Sequence, residues 1–308
     1  MQKILRSRLF WVTAIFFVMA ITLPWFVTGY VLGLMTVAYY FGVFSMSWDL
    51  LFGYAGEVNF GSTFLVGLGA YTAGILDARY GPGIGWCIAA GALAAIIGGV
   101  ALALPALRLR GPYFGLTTLV AVLLLSNLIV VMADLTGGEI GLTVPDVISV
   151  DGHANYFIAL AFMTVSGAVL FAVSRSALGL ILQAIGQDPV EAAALGFNVA
   201  KHKLAAFCVS ALFSGMGGAF FVFYIGSASV GSLIDVAVGV QIIIGAVLGG
   251  RRTIVGSVLG AIFLIAAGEA LRPLGTLSTF VVSLIALVVI MVAPSGLLGL
   301  LLREKGRE

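Results

Sequence analysis

The chain has 308 residues, of which 61% are hydrophobic and only 9% charged, with a mean hydropathy of +1.19. Soluble domains carry roughly 25% charge, so a water-soluble globule is excluded and a bilayer must take the apolar surface. The net charge is +2, and basic residues never cluster with aromatics on a polar surface, so nucleic-acid binding is set aside.

Forty residues, Leu9 to Trp48, carry no Asp, Glu, Lys or Arg. As one helix they would run ~60 Å, twice the ~30 Å hydrocarbon core. The run must fold back, and Pro24, Gly29 and Gly33 offer the break. It is far longer than a signal-peptide core and lacks a cleavage site, so it reads as an uncleaved first span. Setting apolar runs against charges predicts ten spans, at 9–28, 31–50, 60–77, 84–107, 113–133, 154–174, 204–226, 233–250, 253–271 and 276–300. The third, eighth and ninth are short for a full crossing and read as tilted, broken or re-entrant. The fold class is all-α: a polytopic helical membrane protein with one transmembrane domain over residues 1–308. Two connections exceed turn length, 133–155 and 174–203, and neither holds a soluble domain.

Charge sets the orientation. Lys3, Arg6, Arg8, Arg108, Arg110, Arg175, Lys201, Lys203, Arg251, Arg252, Arg303, Lys305 and Arg307 all fall on one side of the predicted spans. Only Arg79 and Arg272 fall on the other, which holds Asp77, Asp134, Glu139, Asp146, Asp151 and Asp235. The positive-inside rule makes the first side cytoplasmic, with both termini inside. A missed or extra span would invert every later loop and destroy this split.

Glycine contributes 41 residues, well above its average share of roughly 7%. Gly215, Gly217 and Gly218 with Ala211 and Ala219 form one small-residue face, and Gly53, Gly61, Gly67, Gly69 and Gly74 another. Tight static packing is the simpler reading, flexible hinges the functional one. Cys87 and Cys208 lie in apolar runs, and His153 and His202 lie in separate polar loops, so neither a disulfide framework nor a metal site is expected.

Within the inner loop, Gly186 to Gly196 reads as a short capped helix. Asp188 is the N-cap, Pro189 the first helical residue, and Glu191 stands three after the cap in reciprocal capping position. Ala192, Ala193, Ala194 and Leu195 favour helix, and Gly196 supplies the left-handed stop. Two turns are not stable alone. The helix needs a surface, and a groove on a partner and the lipid headgroups serve equally on this ground.

Glu191-Ala192-Ala193 followed by Gly196 resembles the coupling motif of ABC importer permeases. The string "RSALGLILQAIGQDPVEAAALGFNVAKHKLAAFCVSALFSGMGGAFFVFYIG", Arg175 to Gly226, is similar to the second half of branched-chain amino-acid ABC transporter permeases. "WDLLFGYAGEVNFGSTFLVGLGAYTAGIL" from Trp48, "LRLRGPYFGLTTL" from Leu107 and "GAVLGGRRTIVGSVLGA" from Gly245 resemble the same family in the same order. Glu57, Asn59 and the Arg251-Arg252-Thr253 turn depart from its commoner pattern. The resemblance implies a permease subunit in a prokaryotic inner membrane, with Asp188, Pro189, Glu191, Ala192, Ala193 and Gly196 coupling it to an ATPase. It also implies a second homologous permease, two cytoplasmic ATP-binding subunits and an extracytoplasmic solute-binding protein. Relatives serve branched-chain amino acids, urea or short amides. No cofactor is expected on this chain: no G-x-x-x-x-G-K-[ST] occurs, so ATP and Mg belong to partner subunits.

A charge at the bilayer centre costs roughly 2.5–3.5 kcal/mol on insertion scales, so isolated polar residues carry weight. Asp49 and Glu57 flank a break at Gly53-Tyr54-Ala55-Gly56 and sit either on the inner face or along a discontinuous helix. Glu57, Asn59, Ser62 and Thr63 are the candidate translocation-path residues. Glu269 and Arg272 face one another on a helix, either as an outer-interface pair or with Glu269 on the path. Asn127 and Gln241 read as interhelical hydrogen bonders. A stand-alone secondary transporter or channel would need mid-span ion sites, and the ionisable residues lie at span ends. An intramembrane enzyme would need a convergent catalytic set, and none is present.

This topology makes a prediction. A cysteine placed near residue 145 is labelled by an impermeant reagent from outside intact cells, and one near residue 187 is not. Reversed accessibility would overturn the span count.

Overall fold

A computed structural model describes residues 13, 15–107, 112–275, 277–292, 296 and 298. The basic residues at 3, 6, 8, 108, 110, 303, 305 and 307 lie outside them. Every predicted span corresponds to a helix: α1 (Ile15–Trp25), α2 (Gly29–Asp49), α3 (Ser62–Tyr80), α4 (Ile84–Ala106), α5 (Pro112–Val131), α6 (Gly152–Arg175), then α9 (Val199–Ile225), α10 (Val236–Gly249), α11 (Val255–Ala270) and α12 (Leu277–Val292). Between α6 and α9 the chain adds α7 (Ala177–Gln187) and α8 (Pro189–Ala194). Among the described residues six helical segments are long and apolar enough to cross a membrane: Gly29–Tyr54, Ile84–Ala106, Tyr113–Val131, Gly152–Arg175, Val199–Ile225 and Val230–Gly249. The chain is an all-α, multi-pass membrane protein.

The break between the first two spans falls where proline demands it. A 3₁₀ turn at Leu23–Trp25 contains Pro24, and α2 begins at Gly29. Gly33 lies inside α2, not at the break as expected, and faces Tyr224 of α9.

α2 runs through the centre, with α3, α4 and α9 on one side and α10 and α11 on another, and α6 also packs on it. Glycine sets the spacing. A Cβ on Gly69 would lie 2.1 Å from the Gly215 carbonyl oxygen, one on Gly218 2.1 Å from that of Val66, and one on Gly91 2.5 Å from that of Gly69. Of the two small-residue faces read from the sequence, Gly69 meets Gly215 backbone against backbone, whereas Gly53, Gly61, Gly67 and Gly74 face Asp49, Thr118, Ile234 and Val144 and form no single face with it. A second crossing joins α10 to α11: a Cβ on Gly249 would lie 1.9 Å from the Gly256 carbonyl, and one on Gly260 2.0 Å from that of Gly245. These are small-xxx-small contacts in both helices.

The described basic residues of the rich side gather at one end. There, Arg251 stacks on Phe52, Arg252 bonds to Gly53, and Lys203 pairs with Glu57. Arg79 and Arg272 lie at the opposite end, Arg79 bonding to the Asp134 carbonyl and Arg272 to Tyr30. That opposite end also carries a small sheet, in which β1 (Leu142–Thr143) pairs antiparallel with β2 (Ser227–Ala228). Ile234 packs on Gly67 in α3, because the chain after β2 turns back into the bundle before α10 starts.

Replacing Gly218 by Leu drives a side chain into the Val66 backbone, which cannot swing aside. The expected loss is about 1–3 kcal/mol or more, read as a lower unfolding temperature in detergent. Val58→Leu, at a partly exposed site, leaves that temperature unchanged.

Candidate functional site

The helix expected at 189–194 forms as α8, with both ends capped. The Asp188 carboxylate accepts hydrogen bonds from the Val190 N–H (2.7 Å) and the Glu191 N–H (3.1 Å), with Pro189 at the first position. At the other end Phe197 N–H donates to Ala192 O (3.2 Å) and Gly196 N–H to Ala193 O (2.9 Å), with Gly196 at φ +89°. This is a Schellman stop. The reciprocal bond from the Glu191 side chain is not made, contrary to the sequence reading. The Asp188 N–H is already given to Ala184 O (3.1 Å) because α7 runs directly into the cap. Glu191 is thereby left exposed, together with Ala193, Val190 and Leu195, the last two about three-quarters exposed. Only Ala192 turns inward and is buried. A short helix thus presents an apolar, singly charged ridge at the basic end.

α7 holds that ridge in place and was not expected as a helix. Its buried face is Gly179, Leu182 and Ile185, and the spacing of Leu178, Leu182 and Ile185 was the available signal. At its end, Gly186 meets the chain after α2 so closely that a Cβ would lie 2.4 Å from the Tyr54 carbonyl oxygen. Gly56, at φ +76°, lies against Gly186 on the same side.

This contact lands on the break that the sequence placed at Gly53-Tyr54-Ala55-Gly56. α2 widens into a π-helical turn over Leu50–Tyr54, and irregular chain follows to Gly61. Asp49, buried at the end of α2, is a backbone anchor. Its carboxylate accepts from the N–H groups of Arg252 (3.0 Å), Thr253 (3.1 Å) and Ile254 (3.2 Å), the turn that opens α11. That turn holds two non-glycine residues at positive φ, Arg252 at 64° and Ile254 at 21°. Arg252 Nε donates to Gly53 O (2.7 Å), and Tyr54 OH donates to Arg252 O (3.0 Å). Lys203 Nζ donates to Glu57, tying the irregular segment to α9.

The four candidate path residues occupy this segment and the start of α3. Glu57 is held at the basic end by Lys203. Asn59 is buried; its Oδ1 accepts the Gly61 N–H (2.8 Å), and its carbonyl accepts Trp48 Nε1–H (2.6 Å). Ser62 and Thr63 are buried, and neither hydroxyl has a hydrogen-bond partner. Gly61, the residue before α3, makes no side-chain cap. The structure thus joins α8 to the near end of the path segment through Gly186 and Gly56, and sets Ser62 and Thr63 apart from Glu57.

The other polar residues separate cleanly. Glu269 accepts from Tyr30 OH and from Arg272 Nη1 (3.2 Å), at the end opposite the coupling ridge. Asn127 is exposed and donates to Leu123 O (2.7 Å) in its own helix, so its expected interhelical bond is not made. Gln241 lines a cavity of about 500 Å³ between α2, α10, α11 and α12.

The family described as branched-chain amino acid transport system / permease component matches residues 30–294. Two curated relatives are described as high-affinity branched-chain amino acid transport system permease protein LivM. The one from Escherichia coli is 26% identical over 327 residues, covering 95% of this chain and 75% of its own length. The one from Salmonella typhimurium is 26% identical over 315 residues, covering 91% and 73%. A fructose import permease protein FrcC from Rhizobium meliloti is 28% identical over 144 residues, 45% of this chain and 40% of its own. No solved structure matches the chain. Matched over most of its length and built as an all-α membrane-spanning bundle, the chain belongs to the branched-chain amino acid transport permease family.

Proposed function

We propose that the chain is the transmembrane permease subunit of an ATP-driven importer that carries branched-chain amino acids into the cytoplasm. Its partners are a second homologous permease, two cytoplasmic ATP-binding subunits and an extracytoplasmic solute-binding protein, in a prokaryotic inner membrane. The observation that carries this reading is α8: six residues, capped at both ends, exposing Val190, Glu191 and Leu195 where the basic residues gather. So small a helix is not stable by itself. It is held from below by Gly186 on Gly56 and offers its outer ridge to a groove on a partner. A push there passes through rigid backbone contacts to the end of α2 and the start of α3. Glu57, Asn59, Ser62 and Thr63 line or border the path in this reading, and ATP and Mg bind only to the partners.

Two measurements test it. The double substitution Glu191→Ala with Gly196→Leu is expected to lower leucine uptake roughly tenfold or more, the effect of losing a docking contact of about 1.4 kcal/mol or above. Membrane insertion stays intact, and uptake at the wild-type rate would remove α8 from the coupling role. The chain purified alone hydrolyses no ATP; measurable turnover would end the division of labour between subunits.

A further inference from the structure

The start of α10 lies at the middle of the membrane, and it carries a carboxylate. The depth follows from packing. A Cβ on Gly91 would touch the Gly69 carbonyl oxygen, at 2.5 Å, and one on Gly99 would lie 3.2 Å from Leu65. Gly67, between those two α3 positions, is therefore level with Ala95, the midpoint of the 23-residue α4. A Cβ on Gly67 would lie 2.5 Å from Ile234. Ile234 is thus about 16 Å below the outer end of α4, half of a ~30 Å hydrocarbon core. The next residue is Asp235.

Asp235 caps α10, accepting the Ala237 N–H at 2.9 Å, and its side chain is exposed. Among the described residues it has no ion-pair partner. Gly231, Val236, Ala237 and Val240 around it are exposed too. A lone carboxylate and the exposed head of a helix do not face hydrocarbon; they face a watery path or protein. Deeper along α10, Gly239 faces α3. A Cβ there would lie 3.5 Å from Thr63 Oγ1, the buried hydroxyl without a partner. The uncapped start of α3, with Ser62 and Thr63, supplies free N–H and O–H donors and the positive end of a helix dipole.

We propose that Asp235 and the start of α3 form a mid-membrane station that reads both charges of a zwitterionic amino acid, the carboxylate of Asp235 taking its ammonium group and the head of α3 its carboxylate. This deepens the permease reading and rests on it, and it separates amino acids from urea and neutral amides, which carry neither charge.

The test uses the assembled transporter in proteoliposomes, with Cys87 and Cys208 replaced by Ala. Asp235→Cys is expected to react with an impermeant methanethiosulfonate, and leucine is expected to slow that reaction severalfold while urea does not. Ile97→Cys, exposed on α4 near the same depth, is expected to stay unlabelled. Asp235→Asn keeps a good N-cap and removes only the charge, so the KM for leucine is expected to rise tenfold or more with the maximal rate largely kept. An Asp235→Cys thiol as unreactive as that of Ile97→Cys, equal protection by urea, or a wild-type KM in Asp235→Asn would overturn the proposal. ATP-dependence of wild-type uptake is measured separately. Its absence would count against the importer reading, whereas the labelling pattern needs no energy source.

Discussion

Lipid offers no hydrogen bonds, so each interruption of a helix in this bundle must be satisfied by the protein itself. The irregular segment after α2 meets that demand with side chains on both flanks. Trp48 donates to the Asn59 carbonyl, Asn59 accepts from Gly61, and Thr118 Oγ1 accepts the Phe60 N–H at 3.0 Å. The turn before α11 is satisfied by one group, the Asp49 carboxylate, which takes three N–H donors. Truncating Asp49 would orphan all three at once in a buried setting. Two non-glycine residues hold positive φ in that turn, a conformation disfavoured for side chains with a Cβ, and the anchor holds them there.

Glycine supplies the complementary condition. Apolar side chains gain nothing by leaving lipid for one another, so helices associate where backbones come close enough for dispersion to add up. Gly69, Gly215, Gly218 and Gly91 bring α3, α4 and α9 together in this way, and Gly245, Gly249, Gly256 and Gly260 join α10 to α11. These crossings are backbone against backbone, whereas the broken segments between them are held by side-chain hydrogen bonds.

The span pattern was legible because lipid imposes it directly: apolar length and basic flanks recovered every described long helix, and the caps of α8 were written in Asp188, Pro189 and Gly196. What stayed hidden depends on tertiary register. Asp49 could not be placed, because its partners are backbone donors some 200 residues away that carry no side-chain signature. Glu57 found Lys203 across 146 positions for the same reason. The packing of Ile234 on Gly67 was hidden because hydropathy reports that a segment is apolar, not which neighbour it meets. Glu191 followed the capping-box spacing, yet its partner N–H was consumed by a helix, α7, that the loop reading left out.

These parts form one mechanical circuit. α8 rests through Gly186 on Gly56, within the segment that opens α3. That segment is fixed to α9 by Lys203 and to the head of α11 by Asp49 and Arg252. Contacts thus run without interruption from α8 to the start of α3 and to the α10–α11 pair. α3 and α10 run in opposite directions and meet along Thr63–Gly239 and Gly67–Ile234. Sliding one against the other changes the surroundings of two buried hydroxyls that have no partner in this conformation. Buried hydroxyls without partners at that contact cost free energy, and a ligand that satisfied them would recover it.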